Sequence, residues 1–155
     1  MSWIKKILLV LLIVFFAIQF IQPARNKSVQ VLPTDISKTI PVPENVKMIL
    51  QTACYDCHSN NTNYPWYTYV QPVGWILNNH IINGKKELNF SEFGSYATRR
   101  QQSKLKSIAD QARDNEMPLH SYTLMHKSAR LSKEEKSIII NWTQIAGDSL
   151  DKINP

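Results

Sequence analysis

Cys54, Cys57 and His58 are the residues with the most chemistry to offer. They stand in "QTACYDCHSNNTNYPWY", from Gln51 to Tyr67, and the two thiols are the only cysteines among 155 residues. A disulfide between them would close a small strained ring, better suited to exchange than to stabilisation. A thioredoxin-like dithiol needs a βαβ setting, which the flanking residues do not suggest. Zinc needs two more ligands at ordinary spacing; His58 is too close to Cys57, and only His120 and His126 offer a pair. Covalent haem uses all three residues, because each thiol can add to a vinyl group and the adjacent histidine then lies beneath the iron. The spacing points to one haem c, attached through Cys54 and Cys57 with His58 as proximal ligand.

The other axial position decides the functional class, since a six-coordinate haem mostly passes electrons and a five-coordinate one binds gases or peroxide. The residues able to fill it are Met117, Met125, Met48, His80, His120 and His126. Met117 is favoured, because it stands in "DNEMPLHSY", where Pro118 releases the chain from helical geometry and a loop can reach over a haem face. Its sulfur would raise the reduction potential. Read without a ligand role, Met117 fills a gap in the core, and His80 is a satisfied core histidine or a propionate partner.

These side chains need a scaffold. Residues 1–22, MSWIKKILLVLLIVFFAIQFIQ, carry two lysines and then an apolar run broken only by Gln19, the pattern of a signal anchor or transmembrane helix. As a helix the run from Ile7 to Ile21, Gln19 included, would be roughly 22 Å long against a hydrocarbon core of about 30 Å, with Lys5 and Lys6 snorkelling and Trp3 at the interface. The small-residue pattern of a cleavage site fits badly, so the anchor is expected to be retained, with Lys5 and Lys6 cytoplasmic and the rest in the periplasm. Residues 23–43 hold four prolines and read as an extended tether.

The domain proper is expected over 44–147, with a tail at 148–155. Val46, Ile49, Leu50 and Ala53 recur at helical spacing and lead into Cys54. Pro72 opens a second helix with Val73, Ile76, Leu77, His80 and Ile81 on one face and Asn83-Gly84 as its stop. A third, from about Ser95 to Arg113, turns Leu105, Ile108, Ala109 and Ala112 inward and leaves Arg99, Arg100, Lys104 and Lys106 as a solvated face. The last begins at a capping box, Ser132 and Glu135, with Gly147 as its stop. With no period-two alternation of useful length, the fold class is mainly α. Trp66, Tyr67, Tyr69 and Trp75 follow the motif closely enough to bury a haem edge. The formal net charge is +6, two of it from Lys5 and Lys6, far from a nucleic-acid footprint.

The segments "CYDCHSN", "YPWY", "PVGWILNNHIINGKKELNFSEF", "EMPLHSY" and "HKSARLSKEEKSIIINW" resemble the bacterial haem-binding domain family of small, membrane-anchored, c-type cytochrome-like envelope proteins. The likeness runs from about Thr39 to Gly147. It implies a mostly helical domain around one haem, covalently bound by Cys54 and Cys57 and ligated by His58. The last segment also resembles the ending of class I cytochromes c, which implies Met117 as distal ligand and a C-terminal helix that packs, near Trp142, against the helix before the motif. The insertion from Trp75 to Phe93 departs from the smallest cytochromes c.

The resulting expectation is a membrane-tethered, one-electron carrier outside the cytoplasm that works with a redox protein partner. Its rivals are a five-coordinate haem sensor or peroxidase-like enzyme, and a haem-free thiol oxidoreductase.

Overall fold

The computed structural model of the chain describes residues 2–28 and 30–153. They are mainly helical, with no strand among them. Helix α1 (Trp3–Ile18) is 16 residues long and buries none of them. At 1.5 Å per residue it measures about 24 Å. Among the described residues no helix is long and apolar enough to cross a membrane, which corrects the expected transmembrane helix over 1–22.

The reason for the early stop lies in Gln19 and Gln22. The Gln19 side chain donates to the Gln71 carbonyl at 3.2 Å and accepts from the Gln71 N–H at 2.8 Å. Gln22 donates to the Tyr69 carbonyl at 3.0 Å and accepts from the Gln71 amide at 3.0 Å. The Trp75 indole N–H adds a bond to the Ile21 carbonyl at 2.9 Å.

The stretch after α1 is a packed strap instead of an extended tether. The Asn26 side chain donates to the Ser59 carbonyl and the Thr62 hydroxyl at 2.8 and 2.9 Å. Asp35 caps the one-turn helix α2 (Ile36–Thr39) by accepting from the Ser37 N–H at 2.9 Å. Ile36 and Ile40, four apart and so on one face, are both buried in the main core. Prolines on either side obscure that pair in the sequence.

Helix α3 (Glu44–Ala53) buries Val46, Ile49, Leu50 and Ala53, as their spacing predicts. Cys54 ends it in non-helical geometry and starts the single turn α4 (Tyr55–His58). A 3₁₀ turn, Trp66–Tyr69, leads to α5 (Val73–Glu87), and a second, Phe90–Ser95, to α6 (Thr98–Arg113). Then come α7 (His120–Met125), a 3₁₀ turn Lys127–Ala129 and α8 (Lys133–Ile153). Ser132 and Glu135 form the expected reciprocal box, with bonds of 2.8 and 3.1 Å. Gly147 does not stop α8; the helix carries on and buries Leu150, so much of the supposed tail is helical, while residues 154 and 155 lie outside the described ones.

Helix α8 packs along α6 and also meets α3, and α4 lies on α5. Leu50, Phe90, Phe93 and Leu105 are at most 1% exposed at the centre of the core, each contributing about 1.5–3 kcal/mol of burial. Trp142 is buried with its indole N–H on the Pro41 carbonyl at 3.0 Å, which ties α8 to the strap before α3. This framework fixes the two walls, α4 and α6, between which the functional residues meet.

Candidate functional site: an apolar cleft beside the cysteine motif

The break at Cys54 turns α4 away from the axis of α3, so that one helical turn carries both thiols and the imidazole. The Cys57 and His58 N–H groups both return to the Cys54 carbonyl, at 3.2 and 3.0 Å. From between the cysteines, Asp56 anchors the turn on two sides, accepting from the Asn63 N–H at 2.9 Å and the Tyr122 hydroxyl at 2.6 Å. Gly84 supports it from behind. A Cβ there would stand 2.7 Å from the Cys57 carbonyl oxygen, closer than real contacts allow, so α5 approaches the motif only because this position has no side chain. Asn83-Gly84 is therefore a packing site within α5 and not its end.

His58 is fixed by the backbone of the residue after α5. Its Nδ1 lies 3.0 Å from the Leu88 carbonyl oxygen. A carbonyl only accepts, so Nδ1 carries the proton and Nε2 keeps its lone pair. Burial pushes the imidazole pKa below its usual value, partly offset by the bonds to Leu88 and Gly84, and favours the neutral ring a metal requires. The ring also packs edge-on to Phe90, which in turn stacks on Tyr55.

Both cysteines are free thiols. Burial and the neighbouring Cys57 push the Cys54 pKa up to about 12, and burial with Asp56 pushes Cys57 up to about 11. Thiols this weakly acidic hold almost no thiolate at neutral pH, which removes the nucleophile that dithiol exchange needs. The raised thiol pKa values count against the thiol oxidoreductase reading. Zinc fares no better, since among the described residues no group of three or more His, Cys, Asp or Glu side chains is placed to hold a metal ion.

Two adjoining cavities of about 280 and 200 Å³ share Ala53, Cys54, His58, Glu87, Met117 and Pro118 in their walls. The larger extends along α6 past Ile108 and Ala112 to Leu131 and Ile139. The smaller turns toward Cys57, His80 and Tyr122. Met117 thus lines the same space as His58, 59 positions earlier in the chain, a meeting that only the tertiary fold brings about.

Of the other possible axial residues, only His80 lines either cavity, and it does so on the Cys57 side. Met48 and Met125 are 55% and 62% exposed, and His120 is exposed as well. His126 is turned to other work: its Nδ1 faces the Tyr122 carbonyl at 3.1 Å, so its Nε2 accepts from the Tyr67 hydroxyl at 2.9 Å. Trp66, Tyr67, Tyr69 and Trp75, expected at a haem edge, line neither cavity. Trp66 and Tyr69 are largely exposed, Arg25 stacks over the Tyr64 and Tyr69 rings, and Trp75 bonds the strap.

Sequence reasoning gave no place to Glu87, Gln111 and Tyr122, and put Lys104 on a solvated face. Lys104 is no freely solvated charge, because it lines the cleft and lies 3.4 Å from Glu87. Its position four before Ile108 was a usable signal, since i and i+4 share a helix face. Tyr122 carried no such signal; its partner Asp56 is 66 residues away.

A mainly helical fold, an apolar cleft, a neutral histidine with a free Nε2, two protonated thiols and a thioether in the same walls fit a haem and define a haem-binding domain. A family model described as haem-binding domain matches residues 13–145, and the chain belongs to that family. The match begins well before Thr39, in keeping with a strap that is built into the fold. No curated protein and no solved structure matches the chain.

Proposed function

We propose that this haem-binding protein is a monohaem c-type cytochrome, tethered to a membrane by α1, that accepts and donates single electrons outside the cytoplasm. In this reading Cys54 and Cys57 would hold the haem through thioethers, and His58, through Nε2, and Met117, through its sulfur, would ligate the iron. The observation that carries it is the meeting of Met117 with His58 and Cys54 in one cleft, with the His58 tautomer set by Leu88. The iron supplies the one-electron change when haem is bound. The chain's own part is to hold the imidazole neutral and oriented, exclude water with Phe90, Ile108, Leu131 and Ile139, and present a soft sulfur that favours the reduced state.

The exposed, lysine-led apolar helix supports membrane tethering, and a redox protein would be the partner. Covalency is tested by acid–acetone extraction of protein matured with c-type machinery: retained colour supports thioethers, and complete extraction removes them. The ligand assignment is tested by the visible spectrum of reduced protein with and without carbon monoxide. A low-spin spectrum that carbon monoxide barely changes supports Met117 and electron transfer, whereas a rapid, complete shift supports a five-coordinate sensor or peroxide enzyme.

A further inference from the structure

Helix α1 is apolar all round, with no polar stripe after Lys5 and Lys6, and it is exposed from Trp3 to Ala17. A second apolar surface stands beside its C-terminal end. Phe20 and Ile21 are 89% and 63% exposed, Trp66 77%, Tyr69 52%, Val73 42% and Ile76 55%. The two surfaces are joined rigidly, because the side chains of Gln19 and Gln22 are hydrogen-bonded to Gln71 and Tyr69, and Gln71 is fully buried in the joint.

We propose that α1 and the Trp66–Ile76 face meet a phospholipid bilayer as one unit, with α1 entering the hydrocarbon and the face lying at the headgroup boundary beside it. The proposal rests on the membrane tethering argued above and adds a docking surface and a fixed orientation to it. Length is the first argument: α1 falls about 6 Å short of a hydrocarbon core of about 30 Å. An apolar face that settles about 5–10 Å into the interface makes up that shortfall. Residue type is the second, since Trp66 and Tyr69 are of the kinds that settle at headgroup depth. Charge is the third: Arg25, 4.0 Å from the centre of the Tyr69 ring, sets a cation at the same level, where phosphates lie. A second copy of the chain fits less well, because one helix-to-helix contact covers a single stripe and leaves the rest of an all-apolar helix in water. The cleft is then carried at a set angle to the membrane, which suits a redox partner in the same plane.

The test uses the full haem-loaded chain in vesicles of phosphatidylcholine and phosphatidylglycerol doped with an acyl-chain diazirine lipid, with photoadducts mapped by mass spectrometry. Adducts are expected in α1 and in residues 66–76, and not in α6. In a variant combining Trp66→Ser, Val73→Ser and Ile76→Ser, adducts over 66–76 should fall by about tenfold or more while those in α1 remain. All three positions are exposed, so an unchanged unfolding temperature is the control for folding. Adducts in α1 alone in the unsubstituted protein would overturn the docking surface and leave tethering intact. No adducts anywhere would overturn tethering itself, and adduct-free residues 66–76 in a chain that forms a dimer in the same vesicles, read with a bifunctional lysine crosslinker, would assign the face to a second copy.

Discussion

The cleft between α4 and α6 and the Trp66–Ile76 face are both apolar, and both lie against the start or end of α5. Around the cleft, polar groups are held by partners: the Leu88 carbonyl holds one side of His58, Asp56 behind it is held by Asn63 and Tyr122, Lys104 lies against Glu87, and His58 and Met117 line one half-open cavity. On the face, the apolar side chains point outward while Gln19, Gln22 and Gln71 satisfy one another beneath them. The difference teaches that apolar content alone does not make a binding site. A concave space with a few oriented ligand atoms suits a cofactor, whereas an exposed surface over a polar joint suits lipid.

Substitutions should separate the two regions. His58→Ala removes the aimed imidazole, and haem incorporation, read from the haem-to-protein absorbance ratio, should fall at least about tenfold. Normal incorporation with a normal low-spin spectrum would deny the proximal role. Next comes Met117→Ala, which should lower the reduction potential in a redox titration and open the iron to carbon monoxide. An unchanged potential would assign the distal site elsewhere, with His80 next to examine.

Structural support for the cleft should matter less. Gly84→Ala forces a methyl group against the Cys57 carbonyl and should cost about 1–3 kcal/mol, or about 2–4 °C of unfolding temperature per kcal/mol at this chain length. An unaltered temperature would mean that α5 and α4 are free to part. Tyr122→Phe deletes the bond to Asp56 and should cost about 1–2 kcal/mol in the same measurement. The smallest effect belongs to the face: Trp66→Ser, at a 77% exposed position, should change stability by less than about 0.5 kcal/mol. A large loss there would mean that the face is part of the core after all.

Legibility followed the range of the signal. The buried stripe of α3, the capping box of α8 and the cysteine motif are all written within a few residues, where helix period and side-chain reach decide the outcome. The strap was misread because Ile36 and Ile40 make too short a pair to stand out among prolines. Gly84 was misread because a glycine that ends a helix and one that lets two helices touch look the same in one dimension. The aromatics were placed near the haem by proximity in the chain, while the turn at Trp66–Tyr69 carries them to the strap.

The helical class and membership of a haem-binding family were legible in the amino-acid sequence alone, because helical periodicity and the spacing of two thiols and an imidazole are local properties. Only the tertiary structure decided which thioether faces His58, which carbonyl sets its tautomer, why α5 needs Gly84 and where α1 is fastened. Those depend on contacts between residues tens of positions apart, and such contacts exist only once the core between α3, α6 and α8 has closed.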